Sequence, residues 1–427
     1  MTEVTSGHLR TVLDRVTELW VPAFVFLLIA CSLNHDPRAV SDMTYIVILV
    51  FVLGGVPLGL RRGGRIDGER FSVIPIILIG LWIYGVVLGL THGLSPSVVF
   101  RNFAAMSLFF VYYVLLLLSP SLKQILLGLY AGAAAFVLAV VYLVIFSETK
   151  GSFGEIGFGA LRYHYFLGTV IAAAVMITLM VQTVVTGPLR IMPLLAGALI
   201  FVAFFLSGSR AFYLALAVSM AAVCLAFVFA GWKYVARAAA VGAAFVLLGA
   251  ITTMVMVDTS SGVVEVAQTV GRSVAAETTP RGPRFETGGV HIYPEGVRVD
   301  QFNALVAELS LFGRGLGAPL SSGFSRDALG YGFELSYLSL GHKLGILGLG
   351  IFLACAAFQY FRTLRTLIRS NYRPAMIVTL GMLGFLVSSY GNPTLFAPIF
   401  VSFFCVALYI ERTVARDLAT GPQAQST

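Results

Sequence analysis

Long apolar runs recur along this chain from residue 19 to residue 410, separated by polar connections. An α-helix needs about 20 consecutive apolar residues to cross the ~30 Å hydrocarbon core of a bilayer. A chain that repeats such runs is restricted to a helical bundle with its backbone polar groups paired inside each segment. A membrane β-barrel is excluded, because its strands alternate apolar and polar residues and these runs do not. Composition agrees: 58% of the 427 residues are hydrophobic and 11% are charged, against about 25% charged in an ordinary soluble domain. A soluble enzyme, a disordered chain and a disulfide scaffold are all excluded.

The runs predict an all-α polytopic protein with about twelve spans. They lie near 19–34, 43–60, 72–91, 100–118, 124–147, 165–186, 191–207, 211–231, 238–257, 334–360, 375–390 and 395–411. With the N-terminus inside, the inner segments carry sixteen Lys and Arg residues and the short outer loops five, as the positive-inside bias requires. Both termini are therefore expected in the cytoplasm. The net charge of +8 reflects this bias rather than a nucleic-acid partner. No cleavable signal peptide is expected, since residues 1–18 are polar and no small-residue cleavage site follows the first run. The four cysteines all fall in apolar runs and read as buried small side chains.

The whole of 1–427 reads as one integral membrane domain. Its one long connection, 258–332, lies on the outer face. Val263, Val266, Val270 and Val274 recur at helical spacing there, and so do Val299, Phe302, Leu305, Val306 and Leu309. Two short amphipathic helices are expected, joined by a loop over Glu277–Gly296 that is rich in Gly, Pro and charge.

Ionisable residues near membrane depth cost roughly 2.5–3.5 kcal/mol on insertion scales, so each outward-facing one carries weight. Arg210 ends the seventh span in a very short Ser207-Gly208-Ser209-Arg210 hairpin. It reads either as a snorkelling anchor or as an anion-binding residue aided by the following helix N-terminus. Arg298 opens the second amphipathic helix and reads as a solvated charge or a ligand-binding one. Arg101 begins the fourth span, as an interfacial anchor or a substrate contact. Arg162, His164 and Arg314 are further outer candidates. Glu334 opens the tenth span. It reads as a carboxylate favoured by the helix dipole, or as a base whose pKa partial burial would raise. His342 and Lys343 lie about two turns deeper, and His342 approximately shares the face of Glu334. A helix-packing hydrogen bond is the plainer role for His342.

No metal-ligand spacing and no phosphate-binding Gly-x-x-x-x-Gly-Lys loop is present, so neither metal nor nucleotide cofactor is expected. Gly313-Arg314-Gly315-Leu316-Gly317 has a superficial likeness to a dinucleotide fingerprint, but it follows no strand.

The order of these motifs carries a resemblance. A Ser-Gly-Ser-Arg hairpin precedes a long outer loop with Arg298, then Leu311–Gly317, then Glu334 through Gly341-His342-Lys343-Leu344-Gly345-Ile346-Leu347-Gly348-Leu349. This arrangement resembles the bacterial O-antigen polymerase and O-antigen ligase superfamily, membrane glycosyltransferases of the GT-C type. The resemblance spans the topology, while the motifs lie in the second half. It implies an inner-membrane enzyme with its active site facing the periplasm. The donor and acceptor would be undecaprenyl-diphosphate-linked glycans in membrane lipid, and no metal would be used. Arg210 and Arg298 would hold the diphosphate, with Arg101, Arg314, His342, Arg162 and His164 as further substrate contacts. A chain-length regulator is a partner such an activity could recruit.

Where the ligases carry a His-Asn pair, this chain has Glu334-Leu335. A carboxylate can serve as the base, and the departure favours a polymerase of O-antigen, capsule or exopolysaccharide units over a ligase that transfers a glycan to a lipid core or a protein. The alternative of another class is a lipid-linked glycan flippase. Against it, the first nine spans carry almost no central charge, and carriers usually place charges at midplane in discontinuous helices.

Overall fold

Every regular element is helical among the residues that the structure, a computed structural model, describes. These are 2–32, 37–66, 68–146, 168–184, 191–206, 214–222, 243, 247, 297–321, 333, 335–370, 373–390 and 394–420. The helices are α1 (Thr2–Cys31), α2 (Pro37–Arg61), α3 (Ile74–Thr91), α4 (Pro96–Ser107), α5 (Val111–Leu118) and α6 (Leu122–Phe146). They continue with α7 (Gly168–Val184), α8 (Ile191–Leu206), α9 (Val297–Ala307), α10 (Ser336–Ser370), α11 (Arg373–Ser388) and α12 (Pro398–Thr420).

Six stretches among the described residues are long and apolar enough to cross a membrane: Asp42–Arg61, Ile74–Thr91, Pro96–Leu118, Leu122–Tyr142, Ser336–Ile368 and Pro398–Leu418. Three shorter apolar helices, Gly168–Val181, Ile191–Phe204 and Pro374–Ser388, lie beside them. The chain is thus a polytopic helical protein. The expected ninth span, 238–257, lies outside the described residues apart from residues 243 and 247. So do most of the long connection expected on the outer face, the first of its two expected helices and the loop expected over Glu277–Gly296.

Several boundaries differ from expectation. The fourth span starts at Pro96 rather than near residue 100, because Ser95 is extended (φ −57°, ψ 127°) and Pro96 suits the first helical position. It continues through a 3-10 turn, Leu108–Phe110, into α5. The tenth span begins at Ser336 and runs to Ser370, ten residues beyond the apolar run, since a helix carrying Arg362 and Arg365 continues readily past the hydrocarbon.

Burial orders the bundle. The apolar window of α12 is 89% buried and that of α2 only 28%, so α12 lies inside the bundle and α2 faces outward. α12 packs against α5, α10 and α11, and α6 packs against α1, α7 and α8. Between helices in lipid there is no hydrophobic driving force, and close backbone approach substitutes for it. Gly128 and Gly132, one turn apart on α6, lie so near α1 that a Cβ at either would meet the Cβ of Val25 at 2.7 Å or of Ile29 at 2.9 Å. In the core, Phe109 meets Phe404 edge-on at 5.5 Å and Phe385 meets Phe400 at 5.6 Å.

The connections sort to two ends. At one, Arg70 donates to the Tyr409 hydroxyl at 3.3 Å, Tyr409 donates to the Pro120 carbonyl at 2.7 Å, and Tyr112 donates to the Arg70 carbonyl. Two residues beyond Tyr409, Glu411 accepts from Arg362 Nη2 at 2.9 Å and Nε at 3.1 Å. At the other end His92, Asn102, Arg314 and His342 are drawn together. The charge count assigns the same two groups to opposite sides.

Candidate functional site

The second end is built around a break in α10. Gly345 has φ 80° and ψ 169°, a region open almost only to glycine. It divides the helix into 336–344 and 346–370. A break in a span frees backbone groups that lipid cannot satisfy, so they must be paired by protein. The segment after α9 does this. The N–H groups of Arg314 and Gly315 donate to the carbonyls of His342 and Lys343, both at 2.9 Å. The N–H groups of Ile346 and Leu347 donate to Ser310 and Leu311 at 3.0 and 3.2 Å.

The same loop is pinned to α3. Leu316 N–H donates to the Gly85 carbonyl at 2.9 Å, the Tyr84 hydroxyl donates to the Phe312 carbonyl at 2.7 Å, and His92 Nδ1 meets the Arg314 carbonyl at 2.9 Å. Tyr84 lies seven residues before the end of α3, about 10 Å along a helix axis. The loop 309–318 therefore dips between α3 and α10 rather than lying across their ends. Gly313 (φ 82°) permits the approach. A Cβ there would stand 2.6 Å from the Lys343 carbonyl oxygen and from Leu344 C. The Gly-x-Gly-x-Gly pattern thus serves helix–loop packing.

Glu308, one residue past α9, joins three elements. Its Oε1 accepts from the backbone N–H of Ser321 at 2.8 Å. Its Oε2 lies 3.2 Å from Arg314 Nη1 and 3.3 Å from His342 Nε2. Partial burial works to raise the Glu308 pKa, but the Ser321 N–H, His342 and the Arg314 charge outweigh it and hold the carboxyl below its ordinary value. His342 is fully buried, and its Nδ1 has no partner among the described residues. An ionised carboxylate only accepts, so this contact places the imidazole proton on Nε2 and the lone pair on Nδ1. Next to it, the buried Lys343 donates to Asn102 Oδ1 at 2.7 Å, with its ammonium 5.0 Å from the Phe396 ring centre and 5.4 Å from that of Phe333. Cation–π contacts of this kind partly replace lost hydration.

The expected site residues fare as follows. Arg314 and His342 are brought together, through Glu308. Arg101 is exposed on α4, beside the Asn102 that holds Lys343. Arg298 lies in the first turn of α9. Glu334, Arg210, Arg162 and His164 lie outside the described residues, and with them the shared face proposed for Glu334 and His342. On α9 the apolar face is only partly used. Leu305 is buried against Leu320 and Phe333, while Phe302 and Val306 are exposed. Gln301 takes their expected place inside, 2% exposed.

Glu308 is the residue that sequence reasoning missed. It belongs to no apolar pattern, and Glu334 drew attention by opening a span. A signal did exist: a carboxylate five residues ahead of a glycine-rich loop, facing a span with four glycines in ten residues (341, 345, 348 and 350).

Chemically, the cluster offers a half-exposed guanidinium (45%) with donors to spare, a buried imidazole of defined tautomer and a buried ammonium. Such a set suits an anionic oxygen ligand and proton transfer. Among the described residues no group of three or more His, Cys, Asp or Glu side chains gathers to hold a metal. No protein-family model matches the sequence, and no curated protein matches it at significant similarity.

Proposed function

We propose that the protein is a glycosyltransferase of about twelve spans in a bacterial inner membrane, polymerising undecaprenyl-diphosphate-linked oligosaccharide units at the periplasmic face. The observation that carries this reading is the meeting of Arg314, Glu308 and His342 at the break in α10. That cluster falls in the stretch whose motif order resembles the polymerase and ligase superfamily.

The chemistry is a single displacement. The acceptor hydroxyl oxygen bonds to the anomeric carbon of the donor, the bond from that carbon to the diphosphate oxygen breaks, and undecaprenyl diphosphate leaves. The hydroxyl proton passes to the Glu334 carboxylate, and configuration inverts. Arginines stabilise the charge that grows on the leaving group, through paired N–H donors. In this reading Arg210 and Arg298 hold the diphosphate with Arg314, and the charged inner segments keep both termini cytoplasmic.

The test is incubation of purified protein with one lipid-linked oligosaccharide, without nucleotide. A glycan ladder is expected. Transfer only after a lipid-core or protein acceptor is added makes it a ligase instead. Arg210→Ala and Arg298→Ala should abolish product while leaving protein in the membrane, and Glu334→Gln should slow chemistry far more than binding. Activity lost to chelator and restored by a divalent ion would overturn the metal-free scheme.

One observation favours the second reading, a lipid-linked glycan flippase. α10 is a discontinuous span with buried ionisable residues beside the break, as carriers often have. Translocation of a fluorescent lipid-linked glycan in vesicles, with no ladder in solution, would select it.

A further inference from the structure

We infer that Glu308 is a positioning residue for the transfer site, the pivot that aims the Arg314 guanidinium and fixes the tautomer of His342. The inference rests on the glycosyl-transfer reading above, in which Arg314 contacts the leaving diphosphate.

Three observations support it. First, one oxygen of Glu308 serves both partners: Arg314 Nη1 at 3.2 Å and His342 Nε2 at 3.3 Å. Guanidinium and imidazole are therefore tied through a single atom, and neither can turn without the other feeling it. Second, the carboxylate is only one of the loop's tethers. Five backbone hydrogen bonds already hold 310–316 to α10 and α3, and the Ser321 N–H on Oε1 can be kept by an amide oxygen. What only the carboxylate supplies is the charge that holds the half-exposed Arg314 guanidinium in place. Third, the pivot leaves His342 Nδ1 as the lone-pair nitrogen of a fully buried ring, unpartnered among the described residues. A buried polar atom is costly unless something uses it. A fixed acceptor beside the site can orient a ligand hydroxyl.

Glu308→Gln is the matched variant, because it keeps size and acceptor and removes charge. It should lower kcat for transfer from a lipid-diphosphate donor about tenfold with little change in KM, the pattern of an interaction made in the transition state. In an Arg314→Ala background the same change should cost clearly less than about tenfold, since only the His342 half of the pivot would remain. Glu308→Asp, which keeps the charge on a shorter arm, should recover part of the loss. Equal losses in both backgrounds, or a loss wholly in KM, would overturn the inference.

The failure of the transfer reading looks different: wild-type protein would give no transfer at all. In that case nitrogen-15 spectra of the His342 ring decide the pivot alone. A single Nε2–H tautomer in wild type that becomes mixed in Glu308→Gln supports it. An Nδ1–H tautomer in wild type, or an unchanged population in the variant, overturns it.

Discussion

Replacing Gly345 by alanine tests the architecture of the site most directly. The residue sits at φ 80° and ψ 169°, and holding a non-glycine residue there costs about 1–3 kcal/mol. Collision adds to this. A Cβ would stand 2.5 Å from Phe312 C and 2.6 Å from Gly313 N, backbone atoms that cannot swing aside. The loop must retreat, and at least two of its four hydrogen bonds with α10 must lengthen, at about 0.5–1.5 kcal/mol each. The total is about 2–6 kcal/mol. In a chain of this size that lowers a thermal midpoint by about 2–7 °C. The assay is a melt in detergent followed with a thiol-reactive fluorophore, for which the buried Cys31 and Cys405 are natural reporters. Gly350→Ala, five residues further along the same helix, is the control. Nothing lies within 4 Å of a Cβ there, and alanine improves helix propensity by about 1 kcal/mol. Its midpoint should hold or rise slightly. Equal midpoints for the two variants, with Gly345→Ala still at wild type, would refute the broken-helix account.

Three further outcomes follow from contacts already described. The Glu308 pKa is held below its ordinary value of 4.5, so its contribution to loop docking is complete above that pH and is lost as pH falls through the folded value. Hydrogen exchange over 308–321 should therefore quicken below about pH 4.5 in wild type, with no such step in Glu308→Gln. Arg362→Met strands the Glu411 carboxylate, whose side chain is 2% exposed; with Arg412 Nε still 3.5 Å away, the cost should be about 1–3 kcal/mol, less than the 3–5 kcal/mol typical of a broken buried pair. The double variant Arg362→Met/Glu411→Gln should melt closer to wild type. Asn102→Ala removes the acceptor 2.7 Å from the Lys343 ammonium and should cost about 1.5–3 kcal/mol by the same melt, whereas Arg101→Ala, one residue away but exposed, should leave the midpoint unchanged.

What the sequence disclosed and what it withheld divide along a physical line. Spans were legible because apolar runs are a local property: the runs near 43–60, 72–91 and 124–147 correspond to α2, α3 and α6. The second helix expected in the long connection was legible from its spacing and is α9. Its buried face was not, because Gln301 and Leu305 are selected by what packs on them rather than by period. The glycines at 313, 315 and 317 were visible yet unintelligible alone. Their reasons lie at Gly345, at Gly89 of α3 and at Val98 of α4, distant in sequence. His342 was expected to make a helix-packing hydrogen bond; its contact is with Glu308, one residue past α9, and that partner required knowing that the segment after α9 folds back between α3 and α10.

That fold-back has a consequence for how the protein is made. The groove on α3 that receives the loop is finished early in synthesis, yet Tyr84 waits for Phe312, 228 residues later. At 5–20 residues per second that interval is roughly 10–50 s. Throughout it the Gly85–Gly89 face of α3 lacks the loop that covers it in the folded protein. Closure of this part of the bundle therefore waits for residues 309–318 and for the α10 segment on which they dock.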